Sequence, residues 1–294
     1  MSQETPSLYL PKVSVDDRGC IFSVVGSQES MPAHFVASIR RARAMELVIF
    51  GGGVKGFAAE DVAKMVPWVV GGFDGFVGVA MSGGTAYFDK ATGKLLANAV
   101  TSIPPVLAHH NECVAIGTFP RVEHWAMNRE HHFLHTDKYG AVLDDRYHHI
   151  AAVQQNASDV LGWQGDMEKR FSVVDALNDW RKVYVIVNGG AVTRDDEAYA
   201  ALSRGMNVIV ARGSKREADA LVAAVESDDW TLTAAEERAK AGTDAAKIAD
   251  VDAIVARCQG ILAGRKDLVK IVDYGDATAL NTTLKSLGFL QQTV

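Results

Sequence analysis

Cysteine is scarce in this chain of 294 residues: Cys20, Cys113 and Cys258 lie far apart and are odd in number. There is no CxxC pair, so neither a zinc ribbon nor a disulfide framework is indicated, and the thiols read as reduced and intracellular. Positive charge is also in the minority. Thirty Lys and Arg stand against 36 Asp and Glu, a net charge of −6, whereas a chain that wraps nucleic acid needs a basic face. A local basic patch for one anionic small molecule is still allowed. Long hydrophobic runs are missing as well. The most apolar stretch, Val66 to Met81, is broken by glycines and by Asp74, and it falls short of the roughly 20 apolar residues a membrane span needs. The opening MSQETPSLYL has no basic segment followed by an apolar one, so no signal peptide is expected. These absences leave a soluble cytoplasmic protein as the expectation.

What is present is an ordinary globular composition, 48% apolar and 22% charged, enough to bury a sizeable core. Short runs rich in Val and Ile each lead into glycine or a hydroxyl residue: ELVIF before Gly51, GFVGVAM before Gly83, CVAIG before Thr118, VYVIV before Gly189 and NVIVA before Gly213. Near-continuous apolar runs suit strands buried on both faces, as in a parallel sheet covered by helices. Helical spacing follows the first run at Ala58, Val62, Met65, Val66 and Val69, with Pro67 expected to end that helix early. From Val183 to Glu226 the pattern is strand–helix–strand–helix, a right-handed parallel crossover unit. Its first helix opens near Thr193 and closes before Gly205. Its second is expected to start with a capping-box pair, Ser214 and Glu217. Two helices are expected between Thr233 and Arg265, the first started by Thr233 with Glu236. The strand LVKIVDYG and a helix from about Ala277 close the chain. The organisation expected is an N-terminal strand or hairpin extension over 1–45, then one nucleotide-binding domain over 46–294 with a helical excursion at about 230–265. The fold class is three-layer α/β with a mostly parallel sheet.

In such a sheet the strand C-termini share one edge, and ligands bind in the crevice outside it. Glycine there lets backbone N–H groups come close to a ligand, and a following helix N-terminus favours an anion. The run Gly51-Gly52-Gly53-Val54-Lys55-Gly56 fits GxGxxG between a strand and a helix. The acidic residue that holds a ribose should end the next strand, but that strand ends in Ser82-Gly83-Gly84-Thr85, which disfavours an ordinary NAD dehydrogenase. Ser82 to Thr85 offers consecutive donors and two hydroxyls, a candidate phosphate cradle or else a polar loop capping the next helix. Arg212-Gly213-Ser214-Lys215-Arg216 puts cations in a first helical turn, where they oppose the dipole unless an anion sits nearby.

The order GGG…SGGT…AIGTFP…NGG…ARGSKREAD resembles the SLOG superfamily of Rossmann-like nucleotide-binding domains. Within it the chain looks most like the LSDAT group, named for similarity to the N-terminal region of melastatin-type TRP channels. The resemblance spans roughly Glu46 to Ala224 plus the closing strand and helix. It implies a doubly wound sheet and a pocket for a nucleotide related to ADP-ribose or NAD. Carried over by matching motif, Gly52, Gly53, Gly83, Gly84, Thr85, Gly117, Gly189, Gly190, Gly213, Ser214 and Arg216 would line that pocket. The same superfamily holds the LOG phosphoribohydrolases, whose PGGxGTxxE motif lines up with Asn188 to Asp196. Here Asn188 replaces Pro, Val192 replaces the third Gly, and Asp196 replaces Glu. Asp196 is thus the candidate catalytic carboxylate for N-glycosidic cleavage, or else a first-turn acid behind an N-cap Thr193.

Eight of the nine histidines fall between His109 and His149. His131 and His135 have i, i+4 spacing, which on a helix would suit a metal pair, but no helix is predicted there and HExxH is lacking, so no metal is expected. Trp125, Tyr139 and Tyr147 could stack on a base or simply pack. The leading expectation is a sensing module for an ADP-ribose-like or other NAD-derived nucleotide, with no other cofactor, a homo-oligomer that signals through a separate effector protein. The alternatives are the phosphoribohydrolase and an assembly protein with an unused pocket.

Overall fold

The computed structural model describes residues 13–15, 21–26, 31, 33–53, 58–83, 85–89, 91, 95–96, 99–120, 133–134, 139–143, 146–154 and 164–290. Strands β1 (Val13–Val15) and β2 (Ile21–Gly26) precede helix α1 (Ala33–Ile39). Then come β3 (Glu46–Gly52), α2 (Ala59–Gly72), β4 (Val79–Gly83), β5 (Thr85–Asp89), β6 (Leu95–Leu96) and α3 (Ala99–His110). Strands β7 (Val114–Pro120), β8 (Phe133–Leu134), β9 (Tyr139–Leu143) and β10 (His149–Gln154) lead to α4 (Gln164–Ala176) and β11 (Arg181–Val187). A π-helical turn, Thr193–Ala198, runs into α5 (Tyr199–Ser203), followed by β12 (Asn207–Arg212) and α6 (Arg216–Ser227). The chain closes with α7 (Ala235–Ala241), α8 (Ala245–Ile261), β13 (Val269–Asp273) and α9 (Ala277–Ser286).

The apolar runs form a nine-stranded sheet in the order β1-β2-β10-β7-β4-β3-β11-β12-β13. Every pair in it is parallel except β1 with β2. Alternate residues feed opposite faces, as the pleat requires. Leu47 and Ile49 of β3, with Tyr184 and Ile186 of β11, pack with α1, α4, α5 and α6. Val48, Phe50, Val183, Val185 and Val187 pack with α2, α3 and α9 on the other face. This is a three-layer, doubly wound α/β fold. From β3 the sheet winds through β4 and β7 to β10, and from β11 it winds the opposite way through β12 to β13. The reversal falls between β3 and β11, where such sheets open a crevice. Strand β2 is hydrogen-bonded to β10 over six rungs, so the 21–26 segment is part of this sheet.

Three local expectations need correction. Helix α2 continues past Pro67 to Gly72: burial of Met65, Trp68 and Val69 against the sheet outweighs the roughly 3 kcal/mol of an interior proline. Thr233 caps no helix; its buried hydroxyl donates to the Trp230 carbonyl at 2.7 Å, and Asp229 caps the 3-10 turn ahead of α7. The Ser82–Thr85 run does not lead into a helix. Strand β5 starts at Thr85 and joins a second, antiparallel sheet ordered β6-β5-β9-β8. The segment Thr-Ala-Tyr-Phe-Asp carries the β-branched and aromatic residues that favour a strand.

Candidate functional site

The last rungs between β3 and β11 pair Gly51 with Ile186 and Gly52 with Val187. Just beyond them, a Cβ on Gly53 would lie 3.7 Å from the Cα of Gly189, so the two backbones are in near contact. Gly189 has φ +100°, and a Cβ there would meet the Thr193 side chain at 2.8 to 2.9 Å. Only glycine satisfies both constraints. Asn188 is buried with φ 61°, its amide donating to Ser214 Oγ at 2.8 Å. Proline could supply neither that φ nor that donor, which explains why this chain departs from the PGG pattern here.

The β12–α6 turn meets this edge. Lys215 and Arg216 both have positive φ, 78° and 51°, a costly backbone of the sort that clusters at functional sites. The Arg216 guanidinium lies over Gly190, 3.4 Å from where its Cβ would be, and donates to the Gly189 carbonyl. Other groups of the turn are engaged elsewhere. Asp219 accepts from the amides of Gly213 at 2.6 Å and Lys215 at 3.0 Å. Lys215 Nζ sits 2.6 Å from Asp61 of α2, and together with the Ala58 amide it holds that carboxyl below its usual range. Buried Ser214 donates to the Ala211 carbonyl at 2.7 Å. The expected Ser214–Glu217 capping box is therefore not formed: the hydroxyl ties β11 to β12, and Glu217 turns to Arg194.

Under the crevice lies a charged pair that no motif announced. Arg170 of α4 donates to Glu197 Oε1 at 2.7 Å, and both are almost wholly buried. Arg170 also reaches Tyr184 Oη at 3.4 Å and Thr118 Oγ1 at 3.5 Å. Burial, with the nearby Glu197 charge, raises the Tyr184 phenol well above its ordinary value, so it stays neutral and accepts from Arg170. Glu197 Oε2 is buried and has no hydrogen-bond partner among the described residues. It rests on Gly51, where a Cβ would come within 2.6 Å of it and within 2.5 Å of the Tyr184 ring. The π-helical turn explains the placement. It adds a residue to the turn and buries Thr193, Arg194, Glu197 and Ala198 together. Asp196, the carboxylate that motif alignment selects, is only half-buried. Burial and Asp195 raise its pKa while Arg257 of α8 lowers it, so its surroundings are the α8 side. Glu197, one residue on, is the acid at the switch point.

Arg194 fastens this turn to the helical excursion. It binds Asp195 through two contacts of 2.8 and 2.9 Å and the Thr233 carbonyl, with Glu217 at 3.6 Å and Glu237 at 3.5 Å. Burial works against its charge, but the Asp195 bond and the charges of Glu217, Asp195 and Glu237 outweigh it and raise Arg194. Burial pushes Glu217 up to about 8 despite Arg194.

The remaining sequence candidates divide. Gly83 ends β4, while Gly117 lies inside β7, opposite Ser82 and Ile150. Ser82 is fully buried, its hydroxyl 2.6 Å from Tyr147 Oη. Thr85 opens β5, paired with Leu143. Gly84, Val54 to Gly56, Trp125, His131, His132 and His135 lie outside the described residues. His148 Nδ1 accepts from the Ala115 amide at 3.0 Å, and His149 stands 3.3 Å from Ser38, both by the start of β10. Among the described residues no group of three or more His, Cys, Asp or Glu could hold a metal ion, and no helix is long and apolar enough to cross a membrane.

Fold and strand order together define a Rossmann-like α/β domain whose winding reverses between β3 and β11. The family model described as "SLOG in TRPM, prokaryote" matches residues 126–253, which include the NGG and ARGSKREAD turns, so the resemblance to the SLOG and LSDAT group holds over that segment. This similarity supports a nucleotide-related binding role. The molybdenum cofactor carrier protein of Chlamydomonas reinhardtii is a structural relative at TM-score 0.42 and 11% identity, over 82% of this chain and 97% of that one. So loose a match carries no argument, and the fold rests on the strand order. No curated protein matches the chain.

Proposed function

We propose that this chain is a sensing module that binds an NAD-derived nucleotide, ADP-ribose-like or related, in the crevice between the carboxyl ends of β3 and β11. The observation that carries the reading is the convergence of Gly51–Gly53, Asn188–Gly190 and Arg216 where the winding reverses. Arg216 offers a cation to phosphate, and the bare backbone of Gly52, Gly53, Gly189 and Gly190 admits ribose and base. Gly83 closes β4, next to β3 in the same sheet. The module acts in the cytoplasm as a homo-oligomer and reports to a separate effector. A thermal-shift panel of ADP-ribose, cyclic ADP-ribose, NAD, AMP and nicotinamide mononucleotide tests it. A concentration-dependent rise in melting temperature is expected for at least one member; no shift with any of them removes the reading.

A second reading, cleavage of an N-glycosidic bond, is favoured by the Arg170–Glu197 pair. Such cleavage needs a carboxylate to stabilise an oxocarbenium-like centre or to activate water, and Glu197 is the acid nearest Gly51. Free base released from a nucleoside monophosphate, lost in Glu197→Gln but kept in Asp196→Asn, would promote it. Intact nucleotide with a clear melting shift leaves the sensor.

A further inference from the structure

Two helix N-termini flank the crevice, and each is already met by a carboxylate of this chain. At α6 the Gly213 and Lys215 amides donate to Asp219. At α2 the Ala58 amide donates to Asp61 at 2.7 Å, and Asp61 also holds the Lys215 ammonium. Ser214 is engaged by Asn188 and Ala211, and Arg212 pairs with Glu226 and Asp273. Of the three cations on the β12–α6 turn, Arg216 alone has no carboxylate partner among the described residues, its bond going to the Gly189 carbonyl. We infer that the site takes a nucleotide with a single phosphate, held by Arg216 over Gly190, and that Asp219 keeps a second phosphate out of the neighbouring turn. A diphosphate reaching that turn would compete for amides already bonded and would meet a like charge where it needs a positive field. Specificity of this sort comes from repulsion built against the wrong ligand. The inference rests on the nucleotide-binding reading and narrows it to the mononucleotides of the NAD-derived class.

Calorimetric titration of the full chain with AMP, nicotinamide mononucleotide and ADP-ribose decides the matter. In wild type, at least one mononucleotide should bind about tenfold or more tighter than ADP-ribose. Asp219→Ala, which frees both amides, should tighten ADP-ribose about tenfold while mononucleotide affinity moves less than about twofold. Should Asp219→Ala not fold, Asp219→Asn, which keeps an acceptor without charge, repeats that arm and the wild-type ranking stands by itself. ADP-ribose binding wild type as tightly as either mononucleotide, or an affinity ratio that the Asp219 variants leave unchanged, overturns this inference alone. No binding by any of the three overturns this inference, and the nucleotide-binding reading falls with it only if NAD and cyclic ADP-ribose also leave the melting temperature unchanged.

Discussion

The Arg170–Glu197 pair offers the sharpest stability experiment. Both side chains lie in the three-layer interior beneath Gly51, joined by one bond of 2.7 Å. Replacing Glu197 by Met takes the carboxylate bonded at 2.7 Å away from a guanidinium that cannot shed its proton. Removing one partner of a buried pair costs about 3–5 kcal/mol, whereas replacing both with apolar residues of similar volume is often near neutral. Glu197→Met and Arg170→Met should therefore each lose about 3–5 kcal/mol. The double variant should return to within about 2 kcal/mol of wild type. Urea unfolding of all four proteins at neutral pH reads each term from midpoint and slope. Strict additivity of the two single losses would refute the idea of a mutually compensated pair. If the double variant is stable yet no longer binds nucleotide, the pair serves the site as well as the fold.

Other consequences follow from single contacts. Glu217 keeps its proton in the folded chain to about pH 8 but only to its ordinary 4.5 when unfolded. As pH rises through that window the unfolded state sheds the proton first, so the fold loses stability, about 3 kcal/mol between pH 4.5 and 7. Unfolding titrations should show this slope in wild type and a flatter one in Glu217→Gln; equal slopes would contradict it. Gly51→Ala places a methyl within 2.5 Å of the Tyr184 ring and should destabilise by about 1–3 kcal/mol through overpacking, seen as a lower melting temperature. Ser214→Ala leaves the buried Asn188 amide without its acceptor and should cost about 1–3 kcal/mol, with hydrogen exchange at Asn188 accelerating first.

Much of the fold was legible in the Val- and Ile-rich runs, because strands buried on both faces leave an unbroken apolar signature. The unit from Val183 to Glu226 read well for this reason, down to the helix ending at Gly205, which has φ +71°. The second sheet was not legible: Ser82–Thr85 looks like a turn, and its neighbours form strands only by pairing with β9, far along the chain. The local geometry of the candidate site was legible only in part. Gly189 announces itself because its φ of +100° and its closeness to the Thr193 side chain demand glycine. Ser214 and Gly213 carry the same local chemistry as a phosphate cradle, yet tertiary partners fill it, Asp219 from the next helical turn and Asn188 from another strand. Glu197 was invisible because a π-helical turn shifts the inward face by one residue, and alignment by spacing selects Asp196. Arg170 sits in a helix with no motif, and only its burial beside Glu197 gives it away.

The central claim is that Arg216, poised over Gly190, meets the phosphate of a bound nucleotide. The direct measurement is the affinity of wild type and Arg216→Gln for whichever nucleotide of the panel raises the melting temperature, taken at low and high salt. A loss of about tenfold or more in the variant, with a weaker salt dependence, is the predicted result. Equal affinity and equal salt dependence in the two proteins would contradict the account.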